Sequence, residues 1–286
     1  MNARTFLIAL SIALMPALAA AQAPESRLKR IKDTKTIAIG YRTDASPFSM
    51  LDDAKQPTGY SIDICKRVVS SLQQQLNVPD LQIKWVPVTI QTRFDAVARG
   101  DADMECGSST VTLSRMKLVD FSYFTFIEGT SLLTRKELNA RSLVDLAGKK
   151  IGVVGGTTNE TALRNGLRDR VVNATVVTLN ARDEALAKLE AKEIDAYASD
   201  QLLLLALGPK ANDPQSLTIV DEILSFEPYA IVLPRGESGL RIEVNAALAR
   251  IYRSDAIIDI YARWFGRLGK PGSMLRMLYT LGAIPD

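Results

Sequence analysis

Residues 105–122, ECGSSTVTLSRMKLVDFS, place five hydroxyl side chains ahead of a single arginine, Arg115. A guanidinium fork matches a carboxylate with two parallel hydrogen bonds. Thr112 can cap a short helix in which Arg115 falls three residues later, so its side chain can reach back to the loop holding Ser108 and Thr110. The alternative is an arginine paired with Asp120 or solvated on a helix face. In VVGGTTNET two glycines permit a tight turn, and Thr157 with Glu160 fits a capping box. Free amides at Thr157 and Thr158 suit an anion, although a glycine turn with a good cap needs no ligand. Arg42 and Arg93 each follow a strand-like run, where a surface arginine is also common. Asp200 is either a cation acceptor or the N-cap of QLLLLAL. The chain has no histidine. That removes the commonest general base, any imidazole metal ligand and every histidine-containing triad, and neither a metal site nor a cofactor is expected.

These residues share one kind of position. TIAIGYR reads as a buried strand and GYSIDICKRVVSSLQQQL as a helix with apolar residues at helical spacing. LQIKWVPV, TRFDAVARG and ADMECG continue as strand, short helix and strand, with Gly100 stopping the helix. Beyond the aromatic segment FSYFTFIEG the pattern restarts through KKIGVVGG, TNETALRNGLR, ATVVTL, RDEALAKLEAK and IDAYASD. LSFEPYAIVLPRG is a further apolar strand, and LRIEVNAALARIYRSDAIIDIYARWFG supplies two closing helices. Such alternation predicts α/β architecture with sheets flanked by helices, and ligands of a parallel sheet bind beyond the carboxyl ends of its strands. Arg42, Arg93, Ser108, Thr110, Arg115, Thr157, Thr158 and Asp200 all fall at those junctions. Several arginines facing one cleft would repel, which makes sense if the cleft binds an anion.

A chain of 286 residues suits one large domain or two ordinary lobes. Its first residues, MNARTFLIALSIALMPALAAAQAPES, read as a secretory signal peptide cleaved near Ala19 to Ala21. Removing Arg4 with it lowers the formal net charge from +3 to +2, a balance with no hint of nucleic acid. Cys65 and Cys106 are expected as two buried free thiols, with one disulfide as the alternative in an oxidising compartment.

The motifs GYSIDICKRV, GDADMECGSSTVTLSRMKLVDFS, GTSLLTRK, LAGKKIGVVGGTTNE, LEAKEIDAYASD, YAIVLPRG and IYARWFG together resemble the periplasmic solute-binding proteins of the polar amino acid ABC importers. ECGSST, VPVTIQTRFDAVARGD and YRTDASPFS make the chain most similar to the glutamate/aspartate binders. The resemblance implies a periplasmic monomer with two α/β lobes (type II), each a mainly parallel sheet, joined by crossovers near 126–130 and 226–230. The lobes would comprise residues 28–127 with 230–286, and 128–229, after a signal peptide at 1–21. The partners implied are an amino acid ligand and the permease and ATPase of an importer.

Carried over by position, Arg115 would hold the α-carboxylate with Thr110 and Thr158, and Asp200 with Ser108 the α-ammonium. Thr157 belongs to the same ligand-binding turn. Arg42 and Arg93 match positions that hold a side-chain carboxylate. Two departures stand out: Ile90 replaces a serine, and Arg182 falls where the family has a histidine contact. Lys192 replaces a small residue and reads as a surface change. An exported enzyme on the same fold, such as a cyclic-carboxylate dehydratase, would need a placed acid or base, with Glu105 and Glu128 the first candidates. A sensor presenting its ligand to a membrane receptor would use the same pocket.

Overall fold

The computed structural model describes residues 26–285. The expected signal peptide lies outside the described residues, and among those described no helix is long and apolar enough to cross a membrane. The first half runs α1 (Arg27–Thr34), β1 (Thr36–Tyr41), a small β2–β3 ribbon (Met50–Leu51 and Pro57–Thr58), α2 (Tyr60–Gln75), β4 (Gln82–Pro87), α3 (Arg93–Arg99) and β5 (Met104–Glu105). β6 (Val119–Arg135) follows as one strand of 17 residues. Then come β7 (Lys150–Val154), α4 (Thr158–Asp169), β8 (Thr175–Leu179), α5 (Arg182–Glu190), β9 (Ala196–Asp200), α6 (Gln201–Leu207), β10 (Leu217–Ile219) and β11 (Ser225–Pro234). The helices α7 (Ser238–Arg253), α8 (Ala256–Phe265) and α9 (Ser273–Gly282) close the chain.

The strands are ordered β4-β1-β5-β11-β6-β9-β7-β8, with β10 also on β6. β4, β1 and β5 are mutually parallel, as are β9, β7 and β8. Between these triplets lie β11 and β6, antiparallel to each other and long enough to serve both. β6 pairs with β11 over residues 119–130, then with β9 over residues 130–134. This is the two-lobed α/β fold expected from the alternation, with two extended strands as its connection.

The apolar cores follow the same division. Ile37 and Ile39 of β1, Ile62 and Val69 of α2, Leu240 and Leu248 of α7 and Phe265 of α8 share one cluster, so the closing helices dock on the first lobe. Val153, Leu163 and Ala198 form another around β7 and β9. Where β6 and β11 leave the first lobe, Phe48 packs edge-on against Phe126 at 5.0 Å and Tyr229 at 5.1 Å. Tyr60 adds a hydroxyl bond to the carbonyl of Thr125 at 2.8 Å. Such an apolar wedge holds the strand exits in place.

Some features differ from the sequence reading. The polar lead-in forms α1, which buries only Ile31. Its Arg30 instead pairs with the buried Asp103, whose other oxygen accepts the Ala38 amide at 2.8 Å. α9 is a further helix that the apolar pattern did not predict; it buries Leu275, Leu278 and Tyr279 and leaves Met274, Met277 and Leu281 exposed. Cys65 and Cys106 are joined by a disulfide rather than free, because the middle of α2 packs beside the end of β5 with Cα atoms 6.4 Å apart. Lys192 is exposed at a backbone φ of 61° and pairs with Glu137 at 3.3 Å, which agrees with a surface change.

Candidate functional site

The strand-end residues converge. Arg42, completely buried after β1, spends Nε and Nη2 on the two oxygens of Asp44, both at 2.8 Å, while Nη1 has no partner. Arg93 opens α3, is 3% exposed and has an unpartnered Nε. Arg93 and Arg115 each lie 4.8 Å from the centre of the Phe94 ring, so one aromatic ring helps to fix both guanidiniums. Thr112 Oγ1 accepts the Arg115 amide at 3.2 Å, and Arg115 Nη1 donates to the Thr110 carbonyl at 2.7 Å. The arginine does reach back to its own loop, and Asp120 instead accepts the Gly236 amide at 3.1 Å.

That loop is anchored on β11. The Val111 amide bonds Pro228, and the Ala230 amide bonds Ser109, at 2.8 and 3.2 Å. Ser108 Oγ is left buried without a partner. Gly107 lies close to both charged groups: a Cβ on it would meet Glu105 Oε1 at 2.2 Å and Arg42 Cγ at 3.2 Å, so the Glu105 carboxylate would have to shift.

From the second lobe, Thr158 Oγ1 meets Thr110 Oγ1 at 3.3 Å, and Arg182 Nη1 donates to the carbonyl of Asp44 at 2.8 Å. Gln91 Nε2 reaches the Asn180 carbonyl at 3.4 Å, and Ile90 packs with Leu186 and Leu204. The lobes are therefore in contact across the site. A cleft cavity of about 650 Å³ remains, lined among others by Thr110, Arg115, Thr157, Thr158 and Glu227. Thr157 uses its hydroxyl as a cap, donating to Val154 O at 2.7 Å and accepting the Glu160 amide at 3.2 Å. Glu160 returns a bond to the Gly156 amide, one residue earlier than an ideal capping box places it.

Asp200 occupies the N-cap position of α6 but makes no side-chain cap bond. Its Oδ1 accepts Asn159 Nδ2 at 2.8 Å. The capping is done by Glu128 of β6, whose Oε1 accepts the Leu202 amide at 3.2 Å. The amides of α6 therefore do not occupy the Asp200 side chain.

Burial, with Arg182 and Arg93 nearby, brings the Arg42 pKa down to about 10; burial with Arg115 and Arg182 does the same for Arg93. Both stay charged at neutral pH. Burial raises Glu105 despite Arg93, and burial with Glu227 raises Asp200. Burial, followed by the charge of Asp200, lifts Glu128 from 4.5 to about 8. The folded chain therefore holds a proton on Glu128 that the unfolded chain has lost. Its contribution to stability is full below pH 4.5, falls as pH rises and is gone above about 8. If water entry removes half of that displacement, the change is still about 2 kcal/mol. Glu128→Gln is expected to flatten the decline of urea stability between pH 5 and 8; an unchanged slope would show that Glu128 titrates normally.

Asp44, Asn159 and Glu227 join the site although the strand-end pattern does not mark them. Asp44 stands two residues from Arg42, and Glu227 is a carboxylate in an otherwise apolar strand; both are signals that pattern reading passes over. Glu105 and Glu128, the acids a dehydratase would need, are held by Ser109 Oγ at 2.7 Å and by backbone amides respectively.

The family model for bacterial extracellular solute-binding proteins, family 3, matches residues 37–267. An L-glutamate/L-aspartate-binding protein of Pseudomonas aeruginosa is 34% identical over 258 residues, covering 90% of this chain and 85% of that protein. A glutamate/aspartate import solute-binding protein of Escherichia coli is 31% identical with the same coverage. Among solved structures, an ancestral arginine-binding protein bound to arginine superposes with a TM-score of 0.72 at 29% identity, covering 81% of this chain and 99% of that one.

Proposed function

The chain belongs to the bacterial extracellular solute-binding proteins of family 3, and on that premise we propose that it captures L-glutamate or L-aspartate between its lobes for an ABC importer. It is a periplasmic binding module, not an enzyme, and hands its ligand to a permease and ATPase at the inner membrane. The lobes are residues 28–127 with 230–286, and 128–229. The observation that carries this reading is the set of buried, unpartnered polar atoms on residues that follow the first lobe's strand ends, Arg42 Nη1, Arg93 Nε and Ser108 Oγ, with Asp200 at the end of β9 in the second lobe. Buried polar groups normally have partners, and a dicarboxylate with an ammonium supplies them.

In this arrangement Arg115, Thr110 and Thr158 hold the α-carboxylate, with the first turn of α4 beyond Thr157 facing it. Asp200 and Ser108 take the α-ammonium. Arg42 and Arg93 take the side-chain carboxylate, and Arg182 sets the ligand's far boundary from the second lobe. Asp44 neutralises part of Arg42, which keeps four arginines from overcharging the cleft. Only a ligand that favours the closed state can shift the lobes toward it, and one gripped by Arg115 and Asp200 spans both.

Isothermal titration calorimetry tests the reading. L-glutamate or L-aspartate is expected to bind without turnover, and heat only from neutral or basic amino acids would refute it. Arg93→Ala is expected to weaken acidic ligands about tenfold or more and glutamine much less, as loss of one charge-assisted contact implies. Equal weakening of glutamine would remove Arg93 from side-chain recognition.

A further inference from the structure

An ammonium group carries three N–H donors, and the proposed site offers it one carboxylate, Asp200, and one hydroxyl, Ser108. Glu227 is a second carboxylate near Asp200, linked to it through Thr130 and Asn159. It lies on β11 where that strand pairs with Glu128 of β6, and it is 2% exposed. Its Oε1 accepts Ser225 Oγ at 2.6 Å and Thr130 Oγ1 at 3.2 Å. Its Oε2 is buried with no partner. It lines the cleft cavity beside Thr110, Arg115 and Thr158.

Glu227 and Asp200 also share one scaffold. Asn159 Nδ2 donates to Thr130 Oγ1 and to Asp200 Oδ1, both at 2.8 Å, and Thr130 in turn donates to Glu227. A single amide thus ties together the end of β9, the start of α4 and both connecting strands. Two buried carboxylates on such a frame repel each other unless a cation lies near both. Arg115 offsets part of that charge from the carboxylate side of the ligand. An unsatisfied carboxylate oxygen in a closed cleft is costly, and a ligand N–H is the donor that would remove the cost.

We propose that Glu227 is the second acceptor of the ligand's α-ammonium, taking one N–H on Oε2 while Asp200 takes another. This rests on the reading of the cleft as an amino acid site and adds an acceptor that reading lacks. Glu227 would make the site select a primary ammonium over a hydroxyl or hydrogen at the α-carbon.

The test compares wild type with Glu227→Gln, which keeps an acceptor for Ser225 and Thr130 but loses the charge. Calorimetry uses L-glutamate and glutarate, the same dicarboxylate without the amine. L-glutamate is expected to weaken about ten- to a hundredfold, as for loss of a charge-assisted hydrogen bond, while glutarate binds no more weakly than to wild type. Equal weakening of both ligands would assign Glu227 to orienting Arg115 and overturn the proposal, as would unchanged glutamate affinity. A crystal structure of wild type with L-glutamate is an independent test. The amine nitrogen within hydrogen-bonding distance of Glu227 Oε2 supports the assignment, and Oε2 facing elsewhere overturns it. A wild-type protein that binds no amino acid would fail the functional reading, whereas one that binds glutamate equally with Gln at position 227 fails only this inference.

Discussion

Arg115→Ala is expected to abolish binding of every amino acid, acidic or not, because this side chain meets the carboxylate that all of them share. Two parallel charge-assisted hydrogen bonds at about 1.5–3 kcal/mol each amount to a loss of roughly a hundredfold to somewhat over ten-thousandfold. The geometry makes the loss local. Arg115 is held by its own loop at the Thr110 carbonyl and by the face of Phe94, so truncation leaves the Thr112 bond to the backbone intact. It also removes the cation beside Glu227 and Asp200, whose charges then oppose an incoming carboxylate. Calorimetry with glutamate, aspartate and glutamine, alongside a melting curve to confirm folding, decides it. Glutamate affinity within tenfold of wild type would show that Arg115 does not grip the ligand. Arg115→Lys is expected to fall between, since an ammonium keeps the charge but not the fork.

Reduction of Cys65–Cys106 is expected to cost about 4 kcal/mol, from the chain entropy released when a loop of this length opens. The cysteines are 41 residues apart in sequence, so the unfolded chain gains substantial freedom when the bond is cut. For a protein of this size that corresponds to a fall in melting temperature of roughly 10 °C. The Cys65→Ala/Cys106→Ala double variant should melt at the lower temperature with or without reductant. A wild-type protein whose melting point is unmoved after complete reduction would show that packing of α2 on β5 already supplies the constraint. Binding should weaken as well, because Cys106 directly precedes Gly107 and Ser108, and the bond fixes the start of the ligand loop to α2.

The alternation of apolar strands and amphipathic helices was legible because each element writes its own period into neighbouring residues. Thr36–Tyr41, Tyr60–Gln75 and Ala196–Asp200 are read that way to within a residue or two. α1 escaped because its apolar face is only Leu28 and Ile31, and its place is set as much by Arg27 and Arg30 reaching Asp103, some seventy residues on. The disulfide escaped for the same kind of reason: nothing near Cys65 specifies what packs against that side of α2. Asp200 shows both levels at once, since its position before QLLLLAL predicts an N-cap and only the fold reveals Glu128 taking that task.

The sequence by itself determined the two α/β units, the absence of histidine chemistry and a set of arginines and hydroxyls at strand ends, all of which depend on local composition and spacing. Only the tertiary structure decided which donors lack partners, that Asp44 shares Arg42, and that Glu227 and Asp200 hang on one asparagine. Most of those relations join residues from about thirty to a hundred positions apart, and they exist only once the strands and helices carrying them are packed together.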